Sequence, residues 1–160
     1  MFKSDYYQAF EDYRKARRSA AFQEVLARIR GNPEDLVLLS YEDVRKQLQA
    51  IEKSTEQLAE IPLDKIVGSV GRYHDFTRRY LPKSSIDQSR WARVMANTKG
   101  LSGLPPIDVY KIGEVYFVKD GNHRVSVARQ MGNTSIQAYI TDVESKVNII
   151  IIKFLIFISI

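Results

Sequence analysis

The chain contains no cysteine, so disulfides, thiolate metal sites and cysteine nucleophiles are all excluded. A cytoplasmic setting agrees with that lack. Residues 1–10 carry acidic and aromatic side chains where a secretory signal would carry an apolar run, and secretion is not expected. No stretch reaches the roughly 20 apolar residues that cross a bilayer, so a membrane is not an expected partner. Neither sign of charge dominates: lysine plus arginine number 24 against 19 aspartates and glutamates, a formal net charge of +5. With 44% hydrophobic and 27% charged residues, the chain can bury a core and does not have the composition of a disordered protein. Its 160 residues suit one domain with a helical extension better than two full cores.

The positive charge is unevenly spread. Between Gly71 and Gln130 eleven basic residues face five acidic ones, so the middle of the chain is where a polyanion such as DNA would be drawn. The alternative is that these residues decorate solvated faces.

From Ser4 to Arg30, Tyr6, Phe10, Tyr13, Phe22, Val25 and Ile29 recur at mostly helical steps, and Gly31-Asn32-Pro33 supplies a stop, which predicts one long or once-broken helix. Its basic patch, Arg14 to Arg18, reads as an exposed helix face or a phosphate contact. Ser40, followed by Glu42 and Asp43, resembles a helix start, and the helix is expected to run from about Tyr41 into the fifties. The boundary between an N-terminal helical extension (1–60) and a main domain (61–146) is placed near Glu60. That domain is expected to hold a short strand around Leu63 to Val67, a Gly- and Arg-containing loop from Gly68 to Phe76, and a helix from Asp87 to Asn97 with Trp91 and Val94 or Met95 inward, stopped by Gly100. A hairpin about Ile112-Gly113 follows, then a helix from Asn122 to Met131 and a period-two strand from Ser135 to Ile140. The fold class expected is α+β, a small mixed sheet with packed helices, preceded by N-terminal helices.

Val147 to Ile160 is almost wholly apolar but only 14 residues long and is interrupted by Lys153. We read it first as out of keeping with the rest, from truncation or a shifted frame, second as a strand or helix covered by a partner, third as a membrane anchor. Exposed, its β-branched run is an aggregation hazard.

The chemistry gathers at Asp120-Gly121-Asn122-His123-Arg124. A strand that enters Asp-Gly and turns directly into a helix collects unpaired backbone N–H groups at one point, where the helix dipole adds partial positive charge. Gly121 allows a conformation closed to residues with a Cβ and lets an anion come close. His123 and Arg124 add donors, the guanidinium being able to hold two phosphate oxygens. An ordinary tight turn with an exposed His-Arg pair is the competing reading. Arg72, His74, Asp75, Arg78 and Arg79 form a second candidate cluster, whose mixed charges suit a phosphate clamp or a metal-bridging carboxylate, with a surface turn as its alternative.

Residues Ile61 to about Val143 resemble the ParB/sulfiredoxin-like superfamily: an Ile-Pro-Leu-Asp-Lys-Ile opening, a helix, a Leu-Pro-Pro-Ile strand entry, a hairpin, an Asp-Gly-x-His-Arg box and a closing strand. The resemblance implies that the box binds nucleotide phosphates, with CTP in ParB proteins, ATP in sulfiredoxins and ADP in an archaeal free-serine kinase. Gly121 and Arg124 match all three patterns, and His123 matches that of sulfiredoxin. Asn122 stands where sulfiredoxin has its catalytic cysteine, which excludes sulfinic-acid repair, and where ParB has a glutamate, which leaves CTP hydrolysis in doubt. The expected site is therefore Asp120, Gly121, Asn122, His123 and Arg124 with Arg72 and His74, Asp75 and Asp120 being candidate bases or ligands to a nucleotide-borne Mg²⁺, and no protein-held metal. The expected function is a nucleotide-binding module, extending to a switch or weak NTPase. The alternatives are a DNA-associated protein or a small-molecule kinase. A homodimer is a further expectation.

Overall fold

The computed structural model describes residues 2–31, 36–98 and 103–146. The tail from residue 147 onward and the stop expected at Gly100 lie outside the described residues. Chain order is α1 (Phe2–Arg30), β1 (Leu39–Ser40), α2 (Tyr41–Gln47), β2 (Ile51–Pro62), a 3-10 turn (Leu63–Lys65), β3 (Ile66–Ser69), α3 (Gln88–Thr98), β4 (Ile107–Ile112), β5 (Val115–Asp120), α4 (Asn122–Gln130) and β6 (Ser135–Glu144). The strands form one mixed sheet in the order β1-β3-β5-β4-β6-β2. The structure thus has the expected class, a mixed sheet with packed helices behind an N-terminal helix.

β5 is central, and hydrophobic residues at every step from Val115 to Val118 are buried on one face or the other. Tyr116 and Val118 join Ile107, Val109, Ile136 and Ile140 on the face covered by α1, α3 and α4, while Val115 and Phe117 join Tyr110, Ile112 and Val143 on the face covered by α2. β3 runs parallel to β5, and at Gly68 a Cβ would meet the Leu39 carbonyl oxygen and the Phe117 ring. Only glycine lets β1, β3 and β5 come this close. The hairpin expected about Ile112-Gly113 is present, with Gly113 at φ +58°.

Four expectations need correction. The helix from Tyr41 ends at Gln47, where Gln49 takes φ +47°, and the polar stretch that follows is a strand, β2, paired antiparallel with β6. Its glutamates favour helix over strand in isolation, so the extended state is imposed by pairing with β6. Among the described residues it is an edge strand with one side unpaired, where charged residues discourage pairing with other chains. The expected boundary at Glu60 falls within β2. The strand expected at Leu63 starts instead at Ile66, after the 3-10 turn, whose Leu63 carbonyl accepts from Arg129. Finally, α1 is one unbroken helix, but the face it buries is Ala9, Tyr13, Ala16, Ala20 and Ala27, leaving Phe22, Val25 and Ile29 at 64%, 51% and 76% exposure. Small side chains let the helix lie close; Tyr13 then reaches over α3, where its hydroxyl donates to the Ile86 carbonyl (3.0 Å) and its ring meets Trp91 edge-on.

Candidate functional site

The last residue of β5 and the first of α4 are separated by Gly121 alone, at φ +108°. A Cβ there would strike the Ile107 side chain, so glycine is required both by conformation and by space. Glycine also has no side chain with which to cap the helix. The first internal bond is from Val125 N to the Gly121 carbonyl (3.0 Å), leaving the N–H groups of Asn122, His123 and Arg124 without a partner among the described residues. One turn later Val125, Ser126, Val127 and Ala128 are buried. Ser126 Oγ accepts from the Trp91 indole N–H at 2.9 Å, which locks α4 to α3.

This helix start opens on a recess of about 340 Å³. Asp120 to Arg124 line one side, and Arg72 from the loop after β3 closes another. Opposite stands a wall that the sequence reading missed: Arg90, Val94 and Asn97 of α3, continued by Leu104 and Pro105. Their signal was the spacing i, i+4, i+7, which places Arg90, Val94 and Asn97 on one helix face. α3 is set by Asp87, whose carboxylate accepts from Ser89 N (2.8 Å) and Arg90 N (3.2 Å). The Arg90 guanidinium has no hydrogen-bond or ion-pair partner among the described residues.

The expected side chains do different things. Arg124, its side chain only 18% exposed, donates to the Pro105 (3.3 Å) and Pro106 carbonyls and pairs with the Asp120 carboxylate. Its guanidinium therefore fastens the turn to the entry of β4 rather than standing open for a phosphate. Asn122 lies 3.4 Å from the hydroxyl of buried Tyr80, which donates to the Gly68 carbonyl at 2.9 Å. His123 meets Phe76 edge-on, and its Nδ1 is buried without a partner. Burial, helped by the positive charges of Arg90 and Arg72, pushes its imidazole down to about 4. Arg72 pairs with Asp75 at 3.0 Å, and Asp75 also accepts from Ser85 (3.0 Å). Asp75 and the exposed His74, which packs on Tyr73, do not line the recess. Lys119 lines it, but its ammonium lies over the Tyr110 ring. Arg78 and Arg79 lie elsewhere, beside α1.

Among the described residues no three His, Asp or Glu side chains are grouped so as to hold a metal ion. Nor is any described helix long and apolar enough to cross a membrane.

Comparison with known proteins gives three findings. The family model of the ParB N-terminal domain matches residues 47–153, more than half of the chain. No curated protein matches. Among solved structures, sulfiredoxin from Arabidopsis thaliana is similar over 52% of this chain and 83% of its own, at 24% identity and a TM-score of 0.41.

Proposed function

The chain belongs to the ParB N-terminal domain family, and on that premise we propose that the recess at the start of α4 binds the phosphates of a nucleotide, CTP, ATP and ADP being the ligands to test. The observation that carries this reading is the uncapped helix start: three unpartnered N–H groups beside the positive end of the helix dipole, edged by Arg72 and Arg90. Together these favour an anion. The buried, unpartnered Nδ1 of His123 supports the same reading, since it lacks the partner that a buried polar atom normally has. Phosphate charge is met chiefly by Arg90, while Arg124 holds the binding turn in shape. Val94, Leu104 and Pro105 offer a flat organic group an apolar wall, and a volume of about 340 Å³ falls in the range of small-molecule sites. Any Mg²⁺ would be held through the phosphates, since no trio of protein ligands is available among the described residues. Asp75 and Asp120 are each engaged by an arginine, so binding rather than catalysis is the function advanced.

Isothermal calorimetry with each nucleotide in Mg²⁺ buffer tests the reading. Wild-type protein should release or absorb heat with at least one, and Arg90→Gln should weaken that binding about tenfold or more, as loss of a charge-assisted contact does. Absence of heat with all three nucleotides would overturn it.

A further inference from the structure

Tyr80 is 1% exposed and lies in the left-handed region at φ +58°. Residues with a side chain seldom take that conformation, and it persists where surrounding contacts outweigh its cost. Those contacts belong to the turn from Phe76 to Pro82. Tyr80 N donates to the Thr77 carbonyl (2.8 Å), Thr77 N to the Leu81 carbonyl (2.9 Å) and Leu81 N to Thr77 Oγ1 (3.2 Å). The Arg129 guanidinium lies 5.4 Å over the phenol ring and is itself held by the Leu63 and Ile66 carbonyls. The side chain thereby reaches in between β3 and the start of α4.

There it braces two walls of the recess. Its hydroxyl donates to the Gly68 carbonyl at 2.9 Å and lies 3.4 Å from Asn122 Oδ1, one proton held between two acceptors of which Gly68 takes the larger share. Gly68 precedes Ser69, a buried serine whose hydroxyl donates to the Val118 carbonyl (3.3 Å) and accepts from Arg72 N (3.3 Å). The carbonyl to which Tyr80 donates is therefore at the root of the Arg72 loop. On the other side Phe76 packs on the Tyr80 ring and meets His123 edge-on. Asn122 and His123, two of the three residues whose N–H groups have no partner among the described residues, are thus supported from one turn. Burial raises the pKa of the phenol, which keeps the hydroxyl a donor at physiological pH.

We propose that Tyr80 is a positioning residue of the phosphate site: through Gly68 and Asn122 its hydroxyl holds the Arg72 loop and the α4 start at the separation at which both reach one anion. The inference rests on the nucleotide reading above and adds to it a residue that does not line the recess. It works by preorganisation, since N–H groups already fixed in place bind an anion without the entropy cost of ordering them. A role in stability alone is the competing account, because a buried hydroxyl bonded to a carbonyl stabilises a fold wherever it lies.

Tyr80→Phe separates the two accounts, because it removes the hydroxyl and keeps the ring that packs on Phe76 and Arg129. Tyr41→Phe is the control: that tyrosine is equally buried, and its hydroxyl donates to Glu52 Oε1 (2.9 Å) on the opposite face of the sheet. Affinities come from calorimetric titration of the full chain with CTP, ATP and ADP in Mg²⁺ buffer, below each variant's unfolding midpoint and with the fold checked by circular dichroism. Tyr80→Phe should bind about fivefold or more weakly, as loss of a hydrogen bond that fixes a binding turn does, and Tyr41→Phe should bind as wild type does. Asn122→Ala, which keeps its backbone N–H, should also weaken binding. Combined with Tyr80→Phe it should lose less than the product of the two separate factors, since both break one connection. Undiminished binding by Tyr80→Phe or by Asn122→Ala, an equal loss in Tyr41→Phe, or factors that multiply in full would remove the positioning role and leave the nucleotide reading in place. Wild-type protein that takes up none of the three nucleotides would instead remove that reading, and the positioning role with it.

Discussion

At Gly121 two constraints act on one residue. A side chain there must adopt a left-handed backbone and also displace Ile107, so Gly121→Ala should cost about 1–3 kcal/mol. Gly71, in open space and without a positive φ, is the control: Gly71→Ala should change stability by no more than about 0.5 kcal/mol. Urea unfolding of both variants checks the pair, and equal destabilisation would contradict the account. His123 gives a pH-dependent prediction. Its imidazole, near 6.5 when unfolded and about 4 when folded, favours the neutral form in the native state, Asp75 and Asp87 only partly opposing the effect of burial, Arg90 and Arg72. The unfolded chain therefore binds more protons between these values. Its contribution to stability is complete above about pH 6.5 and is lost as pH falls towards 4, by at most about 3 kcal/mol. Unfolding midpoints at pH 7.5 and 4.5 should drop further in wild type than in His123→Gln, and parallel drops would show that another group is responsible.

Between elements, a buried polar tie joins α3 to α4. Trp91 and Ser126 are both buried, and the indole N–H has only the Ser126 hydroxyl to donate to among the described residues. Ser126→Ala leaves that N–H unsatisfied and should cost about 1–3 kcal/mol, with a shift in tryptophan emission because Trp91 is the chain's one indole. Unchanged stability would mean that water reaches the indole. Both walls of the recess at the start of α4 depend on this contact, so the variant should also weaken the nucleotide binding proposed there. β2 illustrates a different element-scale point. Its Lys53 pairs with Glu144 of β6, and Glu60 with Ser135, so cross-strand partners rather than local preference hold it extended.

The whole molecule has no seam near residue 60. β2 pairs with β6 on both sides of that position, from Ile51 through Pro62, β1 completes the opposite edge of the sheet, and α1 contributes Ala9 and Tyr13 to the same core cluster as Trp91 and Val118. A fragment of residues 61–146 should therefore lack a cooperative unfolding transition, because it loses one sheet edge entirely and uncovers the α3 face. Thermal melts followed by circular dichroism decide this: a sharp two-state melt of the fragment would restore the division at residue 60.

Features encoded by neighbours in the chain were legible without a structure. The hairpin about Gly113, the Asp87 start of α3 and the Asp120 to Arg124 box each depend on contacts only a few residues apart, and Gly121 is conspicuous because nothing else fits that turn. The strand state of β2, the alanine face of α1 and the joining of Arg90 to the α4 start depend on partners far along the chain: Glu60 meets Ser135, Tyr13 meets Ile86, and Trp91 meets Ser126. The role of Arg124 belongs to the same class, since its tie to the Pro105 and Pro106 carbonyls follows from how β4 and β5 are brought together. Local sequence selects turns and helix starts because their energies are local. Which face is buried and which cations share a recess is decided by packing, where burial and long-range pairing outweigh intrinsic preference.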